Sequence, residues 1–282
     1  MIIDGKKIAE SFIKEVEIET SQLKKKGIAL KLVVILIGDY LPSKIYVKNK
    51  EKKAFQAKIN SEIIKYSKEV GEDEILKKIF ELNKNPEVTG ILVQLPIPDH
   101  INKERVISAI DPNKDVDGFH PINVGRLASG LDGIVPCTPL GCLFLIKSVE
   151  KNLKSKHAVI IGRSNLNGKP MAQLLLREDC SVTILHSKSK DLKAECSRAD
   201  ILVAAVGKSN LVKSDWVKKN SIVIDVGINK EGEKIIGDVD FDEVKKVAKA
   251  ITPVPGGVGP MTIACLLKNT VKCYKRSNIK NN

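Results

Sequence analysis

The 282 residues accommodate one large domain or two of ordinary size, and a 43% hydrophobic content supports a sizeable core, built mainly from aliphatic side chains because aromatics make up only 4%. The formal net charge of +13 raises nucleic acid, a membrane surface or an acidic small molecule as partner. However, the lysines are scattered along amphipathic stretches near acids, as at Lys24–Lys26 or Lys245 and Lys246, with no aromatics between them, which reads as a solvated surface and argues against nucleic acid. The six cysteines show no CxxC spacing, the four histidines form no cluster, no signal-peptide pattern opens the chain, and no apolar run is long enough to span a membrane. No metal site, no membrane association and a reducing, cytoplasmic setting are therefore expected.

From Asp4, apolar residues at Ile8, Phe12 and Val16 predict an amphipathic helix ending near Gly27. The β-branched run Leu32–Ile37 predicts a strand buried on both faces, with Gly38–Pro42 as the turn after it. Helix and strand then alternate: a helix through Tyr46–Ala57, a strand at Ile63 and Ile64, a helix across Ile75–Leu82 and a strand at Ile91–Leu95. Such alternation implies a parallel sheet. The Pro-, Gly- and Asp-rich stretch 111–139 separates this block from a second one, so the domain junction is expected near its end, with domains at 1–136 and 137–260 and a helix at Leu140–Lys151 bridging the two. The second block has strands at Ala158–Ile161, Val182–Leu185, Ile201–Ala204 and Ile222–Asp225 and closes at the Pro/Gly-rich segment Thr252–Pro260. A last helix near 261–276 is expected to return to the first domain, before a polar tail at 277–282.

The strand at Ala158–Ile161 runs into Gly162-Arg163-Ser164, then Gly168, then a helix, the order that places a pyrophosphate at a helix N-terminus. Gly162 and Gly168 are six apart with no middle glycine, so taken alone an ordinary strand–helix turn fits as well. The following strand is more telling. An NAD enzyme generally carries Asp or Glu about 20 residues after the first glycine to hold the ribose 2′-hydroxyl, whereas here the strand ends in His186-Ser187-Lys188-Ser189-Lys190. Missing acid and nearby cations favour NADP. Two further glycine turns, at Gly207 and at Gly227 before Ile228, would line the same sheet edge.

In the first block, Ser43, Tyr46 and Lys50 lie at i, i+3 and i+7 and share one helix face with Lys53. Gln94 ends a buried strand and is followed by Leu95, Pro96 and Pro98, while Asp115 and Asp117 sit in an Asp-rich loop. Read by itself, Lys50 is more simply a solvated helix charge than a catalytic group.

As a set, these segments closely resemble the bifunctional methylenetetrahydrofolate dehydrogenase/methenyltetrahydrofolate cyclohydrolase family: Tyr46-Val47 with Lys50, Gly90–Pro96, Lys114–Pro121, Pro136–Pro139, Gly162–Ser164 and Thr252–Thr262, in this order along nearly the whole chain. The resemblance implies two α/β domains, the second a Rossmann-like parallel-sheet domain that binds NADP, with a cleft between them, and a homodimer. It implies oxidation of 5,10-methylenetetrahydrofolate with NADP and hydrolysis of the methenyl product to 10-formyltetrahydrofolate, acting on tetrahydrofolate derivatives, polyglutamylated ones included. The alternative within the family is a dehydrogenase with weak or absent cyclohydrolase activity; outside it, a basic α/β binding protein without turnover.

Carried over motif by motif, the resemblance makes Lys50 the acid/base group and Gln94 the residue that orients it. Tyr46 stacks on the folate and Asp117 binds the pterin. Ser43, Leu95, Pro96, Pro255, Gly256 and Gly257 complete the substrate contacts, and Gly162, Arg163, Ser164, Gly168, His186, Ser187, Gly207 and Ile228 are the cofactor contacts. A lysine enclosed by Tyr46 and a cationic substrate would have its charged form disfavoured and serve as a base near neutral pH. The chain departs from the family pattern at three places. Gly38-Asp-Tyr-Leu-Pro-Ser43 moves the usual proline by one position, Lys58 stands where a helix-ending glycine is common, and Asn167 replaces an apolar residue in the phosphate turn.

Overall fold

A computed structural model describes residues 1–279; the part of the expected polar tail at 280–282 lies outside them. In chain order the elements are α1 (Gly5–Lys25), β1 (Lys31–Ile37), α2 (Leu41–Gln56), β2 (Asn60–Tyr66), α3 (Glu72–Lys84), β3 (Gly90–Val93), α4 (Lys103–Ala109) and α5 (Pro121–Ala128). Then follow α6 (Cys137–Val149), β4 (His157–Ile161), α7 (Gly168–Arg177), β5 (Ser181–Leu185), α8 (Leu192–Cys196), β6 (Ile201–Ala204), β7 (Ile222–Asp225), β8 (Asn229–Glu231), β9 (Lys234–Ile236), α9 (Phe241–Val244), β10 (Ala250–Ile251) and α10 (Val258–Ile279). The chain divides into two compact units. One comprises Ser11–Arg126, Leu131–Val135 and the chain from Leu266; the other comprises Met1–Glu10, Leu127–Gly130 and Pro136–Cys265.

The first unit is built on a parallel sheet in the order β2-β1-β3. β1 lies in the middle, and six of its seven residues are buried, as a continuous β-branched run requires. Val33, Ile35 and Ile37 pack with Ile75 and Ile79 of α3, Ile91 and Val93 of β3, and Val106 of α4 into one core. The pairing continues past β3, because the Gln94 amide donates to the Ile35 carbonyl at 2.9 Å and Ile91 forms a parallel bridge with Asp115. Gln94 and the loop after Asp115 thus leave the sheet at the same, carboxyl-terminal edge.

The second unit carries a five-stranded parallel sheet, β10-β7-β6-β4-β5, with a small antiparallel hairpin of β8 and β9. Strands β4, β6 and β7 form its centre and are buried almost throughout. Residues 1–10 pack with this unit: the Ile3 amide donates to the Ile251 carbonyl and the Ile251 amide donates to the Met1 carbonyl, so the first residues extend the sheet beyond β10. α10 starts at Val258, inside the segment expected to be irregular, and runs on through Ser277 to Ile279.

Two local differences from the sequence expectation have plain causes. Leu41 and Pro42 form the first turn of α2 and not a loop, because a proline at the start of a helix gives up an N–H that has no partner there anyway. The stretch 111–139 hides α5, whose first residue is likewise a proline, Pro121. All six cysteines are buried as free thiols.

Candidate active site

The buried face of α2 consists of Ser43, Val47, Lys50 and Ala54, the spacing of one helical stripe. A lysine is seldom buried, yet Lys50 is 4% exposed. Its Nζ donates to Gln94 Oε1 at 3.0 Å and stands 4.7 Å from the centre of the Tyr46 ring. Gln94 is held in turn: its Nε2 donates to the Leu95 carbonyl at 2.7 Å, which turns Oε1 toward the ammonium. An amide clasped at both ends and a ring face beside a cation leave Lys50 little freedom. Lys53, one turn further along α2, is half-buried, and its Nζ donates to Gln56 Oε1 at 3.1 Å. Tyr40, the residue before α2, is exposed. The Leu95–Pro96 bond is cis, and Pro96 faces solvent.

The Lys114–Pro121 segment is mostly architecture. Lys114 Nζ donates to the carbonyls of Leu82, Asn83 and Asn85 at 2.7–3.0 Å, completing the C-terminal turn of α3. Asp115 is 1% exposed and accepts from the backbone amides of Gly118, Phe119 and His120 and from Asn123 Nδ2. Burial pushes its carboxyl above the usual range, while these donors oppose the shift. Asn269 of α10 donates to the Val116 and Val135 carbonyls, both at 2.9 Å. Asp117 is the half-buried carboxylate that this frame presents near the sheet edge where Gln94 emerges.

In the other unit, the chain leaves β4 through Gly162, which has φ of +126°. A Cβ at Gly162 would stand 2.4 Å from the Ala205 carbonyl oxygen, and one at Gly168 would stand 1.9 Å from the Gly162 oxygen. Backbone packs on backbone here, so only glycine fits at either end of the turn. Arg163 and Ser164 are exposed on it, and α7 begins at Gly168 with no side-chain cap, since Asn167 makes none. Next to it Thr138, Asn167, Gly168, Met171, Ala205 and Val226 line a shallow depression. β5 is followed by a tight turn in which the His186 amide donates to Ser189 Oγ and His186 Nδ1 accepts from the Lys188 amide; Ser187 is exposed.

Gly207 and Ile228 end the turns after β6 and β7, and both are exposed. Pro255, Gly256 and Gly257 belong to the same unit, after β10. A Cβ at Gly5 would lie 2.0 Å from the Gly257 oxygen, so the start of α1 rests directly on this loop. Sequence reasoning missed two buried carboxylates that organise these turns, Asp225 and Asp238. Their only linear signal is the pairing of Asp with Gly in Asp225-Val-Gly227 and Gly237-Asp238. Among the described residues, no group of three His, Cys, Asp or Glu is placed to hold a metal ion.

Residues 3–117 match the family "Tetrahydrofolate dehydrogenase/cyclohydrolase, catalytic domain", and residues 136–278 match its "NAD(P)-binding domain". The bifunctional protein FolD of Pelagibacter ubique is 63% identical over 278 residues, 98% of this chain and 99% of that protein. The crystal structure of the bifunctional FolD enzyme from Campylobacter jejuni is similar at 49% identity and a TM-score of 0.96, covering 98% of this chain and 99% of the other. The FolD structure from Trypanosoma brucei, complexed with NADP and an inhibitor, is similar at 36% identity and a TM-score of 0.94, covering 98% of both chains. With both domains matched and relatives of this identity over almost its whole length, the chain belongs to the tetrahydrofolate dehydrogenase/cyclohydrolase family.

Proposed function

We propose that this protein oxidises 5,10-methylenetetrahydrofolate to the methenyl compound with NADP and hydrolyses that product to 10-formyltetrahydrofolate, as its family membership implies. The observation that carries the hydrolytic half is the buried Lys50, clasped by Gln94 beside the Tyr46 ring. A lysine placed there to stay solvated would cost desolvation for nothing; one that trades protons with a bound substrate has a reason to be there.

In hydrolysis, Lys50 takes a proton from the water that attacks the bridging carbon and returns one to the ring nitrogen released when the bridge opens. Gln94 fixes its Nζ during both transfers, and Tyr46 offers a ring face on which a pterin stacks. Asp117 is the carboxylate suited to pair with the pterin's N–H groups. Ser43, Leu95, Pro96, Pro255, Gly256 and Gly257 serve as substrate contacts. We assign the folate-binding domain to 1–136 with the end of α10, and the cofactor domain to 137–260.

NADP, when bound, accepts the hydride. The chain fits it: Gly162 and Gly168 let the backbone close around a pyrophosphate at the uncapped start of α7, and β5 ends in His186-Ser187-Lys188 with no acid to hold a free 2′-hydroxyl. Arg163, Ser164 and Ser187 are exposed there for the 2′-phosphate and its neighbours.

β5 is a sheet edge on which Ser181 and Ile184 are exposed, as is Leu176 of α7, and we assign this edge to a second copy of the chain. The described residues contain no helix long and apolar enough to cross a membrane, and we place the enzyme in the cytoplasm, without nucleic acid as partner. Sedimentation of the wild type and of Ile184→Asp tests the dimer; a monomeric wild type overturns it. The function is tested by following methenyltetrahydrofolate by absorbance: it should form with NADP and then decay faster than in buffer. Formation without accelerated decay would leave a dehydrogenase only, and neither would leave a binding protein.

A further inference from the structure

Asp238 has no exposed surface; four neutral donors hydrogen-bond to its carboxylate, and the Asp225 carboxyl lies nearby. Oδ2 accepts from the amides of Val206 at 2.7 Å and Gly207 at 3.0 Å; Oδ1 accepts from the amide of Lys208 at 2.8 Å and from Asn229 Nδ2 at 2.9 Å. Three successive amides of the turn after β6 therefore wrap one carboxylate, and the same carboxylate also grips the segment after β7. Asp225 holds Asp238 in place from behind. Its Oδ1 accepts from the Asp238 and Gly227 amides and its Oδ2 from Val239, while its own amide donates to Thr252 Oγ1. The space is full: a Cβ at Gly227 would lie 2.2 Å from Asp238 Oδ1, and one at Gly237 would lie 1.8 Å from Asp225 Oδ2.

This changes what the glycine turn after β6 can do. Its amides are committed to Asp238, so it is not an anion-binding nest for a ligand. The carbon of Gly207, by contrast, is exposed, with nothing within 4 Å of a Cβ built on it. In the sheet order, β5 flanks β4 on one side while β6 and β7 lie on the other. With the pyrophosphate at the β4 turn and the adenosine ribose at the end of β5, the nicotinamide half of the cofactor extends toward β6 and β7. We infer that Asp238 is the positioning residue for that half, locking the turns bearing Gly207 and Ile228 into one rigid rim.

An acceptor-only group is needed. Asparagine would aim an NH2 at two of the four donors and leave them unsatisfied. Because the inference rests on Gly207 and Ile228 contacting the cofactor, the experiment includes a variant for that reading as well. NADP and the adenosine-half fragment 2′,5′-ADP are titrated calorimetrically against wild type, Asp238→Asn and Ile228→Ala, and cyclohydrolase activity is assayed without cofactor.

Asp238→Asn should weaken NADP on the order of tenfold to a hundredfold, because the buried donors left unsatisfied release the rim from its fixed place. It should leave 2′,5′-ADP binding and cyclohydrolase activity within about twofold, a split that general loss of structure would not produce. Ile228→Ala should weaken NADP alone. If Ile228→Ala acts and Asp238→Asn does not, the positioning role is wrong and the contact assignment stands. If Ile228→Ala binds NADP normally, the contact assignment has failed. Should Asp238→Asn not fold, Asn229→Ala decides: removing one of the four donors should raise the NADP dissociation constant a few-fold with 2′,5′-ADP unchanged, and no change overturns the inference.

Discussion

The two candidate half-sites are built in opposite ways. Around Lys50 the working parts are side chains, the buried ammonium on the half-buried Gln94 amide, that amide on the Leu95 backbone carbonyl, and the Tyr46 ring alongside. Around Gly162 they are backbone, with glycines where main chain touches main chain and the side chains of Arg163, Ser164 and Ser187 left in solvent. Proton transfer requires one titrating atom in a fixed place, whereas holding a long dinucleotide requires a shaped strip of dipoles and flexible charges at its end. Substitutions in the first region should therefore act on a chemical step, and those in the second on affinity.

The largest effect expected from this contrast is at Lys50. Lys50→Met keeps most of the stem and removes the amine, so cyclohydrolase activity should fall on the order of 100-fold or more while some dehydrogenase activity survives. Gln94→Ala should damage the same step, and the double variant should cost little beyond the worse single one, because Gln94 acts through Lys50. Hydrolysis near the wild-type rate in Lys50→Met would refute the mechanism. In the other region, Arg163→Ala with Ser187→Ala should raise KM for NADP by about tenfold, the worth of one charge-assisted contact, and leave KM for NAD nearly unchanged. An equal loss with both cofactors would mean that these side chains support the fold and do not read the 2′-phosphate.

A smaller effect is read by pH, and buried Asp115, whose carboxyl burial pushes above its usual range, adds to it with the same sign. Burial, with the Asp238 carboxylate nearby, raises the Asp225 carboxyl from 3.8 to about 7 despite three donated amide hydrogen bonds. The folded state therefore holds a proton that the unfolded chain releases near pH 4. This contribution to stability is complete below that pH and is lost as pH rises through about 7, with a slope of at most about 1.4 kcal/mol per pH unit. Carboxylates whose pKa is lowered, such as Asp200 and Asp132, are ionised in both states above pH 5 and stay silent in this window. Urea midpoints should fall from pH 5 to about 7, and Asp225→Asn should make the fall shallower; a rising curve in the wild type contradicts the assignment.

The smallest effect lies at the end of α2. Lys58 adopts φ of +56°, the left-handed conformation that ends a helix, and its Nζ is 3.2 Å from Glu17. Relief of that backbone should outweigh the exposed ion pair, so Lys58→Gly should stabilise the protein by about 0.5–1 kcal/mol. A lower melting temperature in Lys58→Gly would show that the contacts with Glu17 and Ser21 matter more.

Much of this was legible in the linear sequence because it follows a period. The shared face of Ser43, Tyr46 and Lys50 is helical arithmetic, and the buried strands declare themselves as β-branched runs. What stayed hidden depends on partners far along the chain. Lys50 looks like a surface lysine until β3 delivers Gln94 beside it, and Asp238 looks like one more loop acid until the amides of residues 206–208 close over it. Pro42 and Pro121 misled in the opposite sense, since a proline marks a break in an element and also suits the first turn of one. The hairpin of β8 and β9 carries mostly exposed residues and so gives no alternating apolar signal.

The sequestered thiols make the protein a convenient object for labelling chemistry. All six cysteines are buried, and burial pushes the Cys180 thiol up to about 11 and Cys196 to about 12, so little thiolate is available to a maleimide at neutral pH. A cysteine introduced at exposed Ile228 or Ser187 would then react first, without deletion of the native ones. A fluorophore at either position would report separately on the turns after β5 and β7, and a change at both on adding NADP is expected if the proposed cofactor contacts hold.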